Sequence, residues 1–128
     1  MKVLITDDNE DVREELGHLL KELQHEVVAE ANSLAATLDA YQKHRPDLVT
    51  LDIAMPDADG LTVLEALQQL NSKVKVLVIS GEARQPILQA LRKAGVSGIL
   101  LKPFTKEGLQ TALNRVCGDA TPPPSRKV

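Results

Sequence analysis

Short apolar runs alternate with amphipathic segments along the chain. Val3–Thr6, Val27–Ala29, Leu48–Ile53, Val74–Ile79 and Ile99–Leu101 are mostly apolar and often β-branched, the pattern of strands covered on both faces. Between them the apolar period becomes helical. Val12, Leu16, Leu19, Leu20 and Leu23 make one stripe at i, i+4, i+7, i+8 and i+11. Leu34, Leu38 and Tyr41 make a second, and Leu61, Leu64, Leu67 and Leu70, widened by Val63, a third. Ile87, Leu88, Leu91 and Ala94 form the fourth, with Pro86 suited to its first turn and Gly95 just past its end. Leu109, Leu113 and Val116 form the fifth, with Thr105 as its N-cap. Strands alternating with helices predict a parallel sheet with helices on both faces, and right-handed crossovers leave few topologies. The expected fold is α/β, a flavodoxin-like doubly wound (βα)5 arrangement with strand order 2-1-3-4-5. After Cys117 the texture changes to a segment containing consecutive prolines. The expected domain spans residues 1–118, with 119–128 a Pro-rich tail or truncated linker.

A chain of 128 residues is long enough to bury one real core. Its 15 Lys+Arg against 18 Asp+Glu give a net charge of −3 with no basic run, which argues against a nucleic-acid partner. A single cysteine excludes an internal disulfide and a Cys-based zinc site, and fits a reducing compartment. No stretch approaches the ~20 apolar residues needed to cross a bilayer. The N-terminus turns acidic too soon for a signal peptide, at Asp7-Asp8. Aromatics are only 2%, which disfavours stacking on bases or flavins. A cytoplasmic protein without membrane or direct nucleic-acid partners is expected.

The chemistry is in the polar exceptions. The first strand ends in Asp7-Asp8, the third runs into Asp52, the fourth ends at Ser80-Gly81 and the fifth at Lys102-Pro103. Open parallel sheets bind ligands outside the carboxyl ends of their strands, where the strand order reverses. In the order 2-1-3-4-5 that point lies between strands one and three. Asp7, Asp8 and Asp52 would meet there, with Ser80 and Lys102 arriving from the other side. Clustered carboxylates need counter-charge. Lys102 supplies one positive charge, and a hard cation such as Mg²⁺ suits the remainder. A cation beside a carboxylate, a lysine and a hydroxyl is the apparatus of phosphoryl transfer, and an Asp side chain can itself accept the group.

Each residue also has a plainer reading. Taken alone, Asp7 or Asp8 reads as a cap of the first helix, Asp52 as a cap of a following turn, and Lys102 as a side chain snorkelling from the sheet edge. The coincidence of polar residues at four strand ends favours a shared site.

These residues resemble the receiver domain of two-component response regulators across residues 1–118. The matches are Val-Leu-Ile-Thr-Asp-Asp at the first strand end, the stretch from Pro46 to Gly60 around Asp52, Val-Ile-Ser-Gly at 78–81 and Leu-Lys-Pro-Phe at 101–104. The stretch from Thr50 to Pro56 is most similar to stand-alone chemotaxis regulators. The resemblance implies that Asp52 accepts a phosphoryl group from a sensor histidine kinase or phosphotransfer protein. It implies Mg²⁺ held directly by Asp8, through water by Asp7, and by Asp52 and the backbone carbonyl of Ala54. Ser80 matches the hydroxyl that moves to the phosphoryl group, and Lys102 its ion-pair partner. Lys102–Pro103 matches the family's cis peptide. The face of helix four, strand five and helix five is the implied output surface towards a protein target, the protein being a monomer or a phosphorylation-dependent dimer. Its chemistry would be confined to its own phosphorylation and dephosphorylation. Where the family usually has an aromatic three residues before the lysine, this chain has Ile99. Ala54 and Glu82 occupy positions that tune phosphoryl lifetime.

His18, His25 and His44 lack metal-ligand spacing and read as surface or helix-packing residues. Cys117 reads as a small core residue. A haloacid dehalogenase-like phosphohydrolase wants an Asp two residues after its nucleophile, and Asn9 or Glu10 stands there. A flavodoxin-type carrier would need a hydroxyl-rich loop where Asp7-Asp8 lie. Two alternatives stay open: the receiver of a larger regulator with a DNA-binding or enzymatic output domain, and a receiver-like binding module that takes no phosphate.

Overall fold

The computed structural model describes residues 1–53, 60–81 and 84–117. In chain order these form β1 (Lys2–Thr6), α1 (Glu10–Glu22), β2 (Glu26–Ala31), α2 (Leu34–His44), β3 (Leu48–Leu51), α3 (Gly60–Leu70), β4 (Val76–Ser80), α4 (Gln85–Ala94), β5 (Gly98–Leu101) and α5 (Lys106–Cys117). All pairings are parallel, and the sheet order is β2-β1-β3-β4-β5, as the alternation predicts.

The period-two alternation of β1, β3 and β4 sends their side chains to two separate apolar layers. Leu4, Val49, Leu51, Val76 and Val78 face Tyr41 of α2, Val63, Leu64 and Leu67 of α3, and Leu91 of α4. Val3, Ile5, Leu48, Leu77 and Ile79 face Leu16 and Leu20 of α1 and Leu109, Leu113 and Val116 of α5. The helical stripes are therefore core, α1 and α5 on one face and α2, α3 and α4 on the other. Removing one of the fully buried leucines to Ala would cost about 2–5 kcal/mol, so this double layer dominates stability.

Strand limits differ from the apolar runs where hydrogen bonding overrides composition. β3 ends at Leu51 rather than Ile53, because its neighbour β1 stops at Thr6 and the ladder closes with the Asp52 N–H on the Thr6 carbonyl at 2.9 Å. β4 begins at Val76 rather than Val74, whose N–H is taken by the Asn71 carbonyl in a turn. β2 extends beyond Val27–Ala29 because polar Glu26 and Glu30 are tolerated on a sheet edge.

Helix ends follow local chemistry. Asn9, not Asp7 or Asp8, caps α1, accepting from the N–H groups of Asp11 and Val12. Thr105 caps α5 through the Gly108 N–H at 3.0 Å. Gly95 closes α4 at φ 98°, a left-handed conformation that only glycine adopts freely. Among the described residues, Thr50 Oγ1 is a buried side-chain oxygen without a hydrogen-bond partner, lying between Ile5 and Leu77 on neighbouring strands. Replacing Thr50 with Val, which has the same shape, removes that desolvated hydroxyl. It is expected to leave stability unchanged or raise it by about 1 kcal/mol in urea unfolding.

His25 is half-buried before β2, and its Nδ1 lies 3.1 Å from the Met1 ammonium, which donates to it. Burial first, and that ammonium second, push its pKa below the ordinary 6.5. The unfolded chain then binds a proton that the folded chain refuses. The stability owed to neutral His25 is present above about pH 6.5 and is lost as pH falls through the lower folded value. The urea midpoint of His25→Gln is expected to fall less steeply than that of the parent between about pH 7 and about pH 5.

Candidate functional site

The parallel ladder carries the polar residues to one place. Beyond the strand ends, the Asp7 N–H bonds to the Ala31 carbonyl at 3.0 Å, Asp52 to Thr6 at 2.9 Å and Lys102 to Ser80 at 2.8 Å. Each residue is thus fixed by backbone one step past its strand, at the carboxyl edge of the sheet. Asp7, Asp52 and Ser80 are buried, while Asp8 is exposed. One carboxylate oxygen from each of Asp7, Asp8 and Asp52 lies within 4.8 Å of the others.

Asp7 is held on both oxygens. Oδ1 accepts from the Asn9 N–H at 2.9 Å, and Oδ2 from Lys102 Nζ at 3.1 Å. Lys102 Nζ also stands 4.0 Å from Asp52 Oδ2. Its side chain crosses from the end of β5 towards the carboxylates of β1 and β3, so it is an ion-pair partner and not a solvent-seeking edge residue. Its single positive charge faces the two buried carboxylates, so the three together keep a surplus of two negative charges, and Asp8 is open to water. A surplus of acidic oxygens at such spacing suits a hard divalent cation, whose ligands are oxygens.

A model of the response regulator receiver domain family matches residues 3–114. The chain belongs to that family.

This receiver is 33% identical over 114 residues to the chemotaxis protein CheY of Bacillus subtilis, covering 89% of the chain and 95% of that protein. It is 31% identical over 114 residues to the transcriptional regulatory protein PdtaR of Mycobacterium tuberculosis, covering 88% of the chain and 54% of that protein. Among solved structures, a chain of the CheX–CheY–BeF3–Mg²⁺ complex from Borrelia burgdorferi matches with a TM-score of 0.89 at 23% identity. That match covers 93% of this receiver and 90% of the other chain, and it is a likeness of fold. The receiver is CheY-like and homologous to the receiver domains of larger regulators. No described helix is long and apolar enough to cross a membrane.

The other singled-out positions fall as follows. The Lys102–Pro103 peptide is cis. Ile99 is half-buried against the α2, α3 and α4 layer. With small residues around it, a hollow of about 620 Å³ opens along the β5 edge, lined by Arg92, Gly98, Ile99, Gly108, Ala112 and Arg115 among others. Ala54, Glu82 and residues 118–128 lie outside the described residues, as does the side chain of Cys117. His18 is exposed and pairs with Glu22 at 3.1 Å. The Lys106 ammonium beside Glu22 holds its carboxyl below the ordinary carboxylate range.

Two residues near the site were not singled out by sequence. Gly60 opens α3 with its N–H on the Ile53 carbonyl, and a Cβ there would lie 2.8 Å from the Cα of Ile53, the residue after Asp52. Arg13 bonds the Asp7 backbone carbonyl from α1. The only signals were a glycine after an Asp-rich stretch and a cation in the first turns of the first helix.

Removing the Lys102 charge leaves two buried carboxylates uncompensated. Lys102→Met is expected to lower metal-free stability by about 2 kcal/mol. Asp7→Asn/Lys102→Met should lose less than the sum of its single substitutions, a coupling that urea unfolding measures directly.

Proposed function

We propose that this receiver is a phosphorylation switch in two-component signalling. It takes a phosphoryl group on Asp52 from the phosphohistidine of a sensor histidine kinase or phosphotransfer protein, in a Mg²⁺-dependent reaction. One observation carries the reading: three carboxylates gathered within 4.8 Å, with Lys102 Nζ between Asp7 and Asp52.

Asp7, Asp8, Asp52 and the Ala54 backbone carbonyl are the proposed ligands, Asp8 directly and Asp7 through water. Bound there, Mg²⁺ neutralises oxygens of the transferring group. An Asp52 carboxylate oxygen attacks phosphorus. The new P–O bond forms as the P–N bond to the donor imidazole breaks, and the imidazole leaves with that electron pair. Lys102 pairs with one phosphoryl oxygen and the Ser80 hydroxyl donates to another. The acyl phosphate, of charge about −2 where the carboxylate had −1, gives Ser80 and Lys102 a common partner at Asp52. The connections after β4 and β5 shift with them, biasing a two-state element.

The output surface is the α4–β5–α5 face. It is basic in an acidic chain: apart from Lys102, which turns to the acidic cluster, Arg84, Arg92, Lys93, Lys106 and Arg115 stand in residues 84–117 against Glu107 alone. A protein target presenting carboxylates fits that charge. With Ile99 in place of an aromatic, the movement of Ser80 reaches this face through the loop and a smaller aliphatic side chain. The chain's own chemistry is limited to gaining and losing its phosphoryl group, and the reading places it in the cytoplasm. One comparison favours a second arrangement: the receiver spans 54% of PdtaR, and residues 119–128 would then be a linker towards a further domain.

Intact mass after incubation with Mg²⁺ and acetyl phosphate tests the switch. A single phosphoryl adduct is expected that requires Mg²⁺ and is missing from Asp52→Asn. If neither acetyl phosphate nor a phosphorylated histidine kinase yields an adduct, the chain is a phosphate-independent binding module. Sedimentation of the phosphorylated sample distinguishes a monomer from a phosphorylation-dependent dimer.

A further inference from the structure

Arg13 takes no part in the chemistry proposed above, yet its guanidinium is tied down on two sides. Nη1 donates to the Asp7 backbone carbonyl at 2.7 Å, and Nε donates to Glu30 Oε1 at 3.1 Å. The Arg13 side chain is only 15% exposed, against 47% for Glu30. Glu30 is itself placed by strand register, opposite Ile5 on β1. The Asp7 carbonyl belongs to the peptide that leads into Asp8, the solvent-facing member of the acidic cluster.

The segment from Asp7 to Arg13 closes on itself. Asp7 Oδ1 receives the Asn9 N–H, Asn9 caps α1, and the Arg13 N–H returns to the Asn9 carbonyl at 3.1 Å. The guanidinium then reaches back to the Asp7 carbonyl, so the Asp7–Asp8 peptide plane is held from the α1 side. Arginine suits this task because its planar fork serves a carbonyl and a carboxylate at once, whereas a lysine ammonium is a single point charge.

The geometry points to Arg13 as a positioning residue for cation binding: it fixes the Asp7–Asp8 peptide so that the Asp8 carboxylate stays gathered with Asp7 and Asp52, and Glu30 fixes the guanidinium. This rests on the metal reading of the cluster. Two effects oppose each other when Arg13 is removed. Losing a positive charge would tighten cation binding, while losing the clamp would weaken it. Glu30 already pairs with the guanidinium charge, so the clamp dominates. Loss of a residue that orients a metal ligand typically weakens metal binding by about 10–100-fold.

The test is calorimetric titration of the full chain with Mg²⁺, without a phosphoryl donor, on the parent, Arg13→Gln, Arg13→Lys and Glu30→Gln. Urea midpoints of each protein are measured alongside. Arg13→Gln is expected to weaken Mg²⁺ binding about tenfold. Arg13→Lys should recover part of the loss, since one ammonium replaces the two-sided fork, and Glu30→Gln should lose less. A change in stability alone would move the urea midpoint and leave Mg²⁺ affinity in place. Variants that bind Mg²⁺ as tightly as the parent, or more tightly, overturn the positioning role while the metal reading stands. If Arg13→Gln does not fold, Arg13→Lys and Glu30→Gln decide by the same criterion. A parent that binds no Mg²⁺ overturns both.

Discussion

Bringing like charges together at the open end of a parallel sheet is the constraint that the rest of the site answers. Two carboxylates within 4.8 Å, as Asp7 and Asp52 are, repel by about 3 kcal/mol at an effective dielectric of about 20. A whole domain is stable by only about 5–15 kcal/mol, so this repulsion cannot be left uncompensated in buried groups. Lys102 meets it, 3.1 Å from one carboxylate and 4.0 Å from the other. That requirement links distant parts of the chain, because the counter-ion for β1 and β3 comes from the end of β5.

The same link makes a change at Asp52 felt at the sheet's edge. Lys102 is held through its backbone N–H to Ser80 and through its ammonium to Asp7, so its two ends report on β4 and on the acidic cluster. β5 is an edge of the sheet and carries the exposed Leu101, with a hollow at Gly98 and Ile99. An edge strand, paired on one side only, yields at lower cost than the central and fully buried β3 or β4. Because Lys102 follows β5, a charge change at Asp52 would be transmitted towards that edge of the sheet.

Most of the fold was legible because periodicity and burial coincide. The Leu16 and Leu20 stripe, the Leu109 and Leu113 stripe and the strand order all follow from which positions are apolar. Strand ends were less so, because a ladder stops where its neighbour stops, and Ile53 looks as strand-like as Leu51. In the site, Asp7, Asp52, Ser80 and Lys102 could be placed together because each interrupts an apolar run at a strand end. Arg13 could not be found this way. Its partners are a backbone carbonyl, which has no sequence signature, and Glu30, which pairs with it only once β2 lies beside β1. Gly60 was hidden for a related reason, since its need for a bare Cα comes from the close approach of Ile53. The helix cap went to Asn9 because Asp7 was already engaged by Lys102 and by the Asn9 N–H itself.

The distribution of counter-charge separates a responsive site from a purely structural one. Had the fold supplied a side-chain cation for every carboxylate, the cluster would be satisfied without a ligand and indifferent to one. Instead Lys102 faces the two buried carboxylates, and the guanidinium of Arg13 is spent on a backbone carbonyl and on Glu30. Three carboxylates against one ammonium leave two negative charges uncompensated, and Asp8 is the member that water can reach. Solvent screens part of that charge, because Asp8 keeps the hydration that Asp7 and Asp52 have given up. A dication arriving there gains the attraction of all three carboxylates while displacing only water. How much a cation would gain there thus depends on all three carboxylates staying gathered, and on how firmly the chain before α1 holds the exposed aspartate in place.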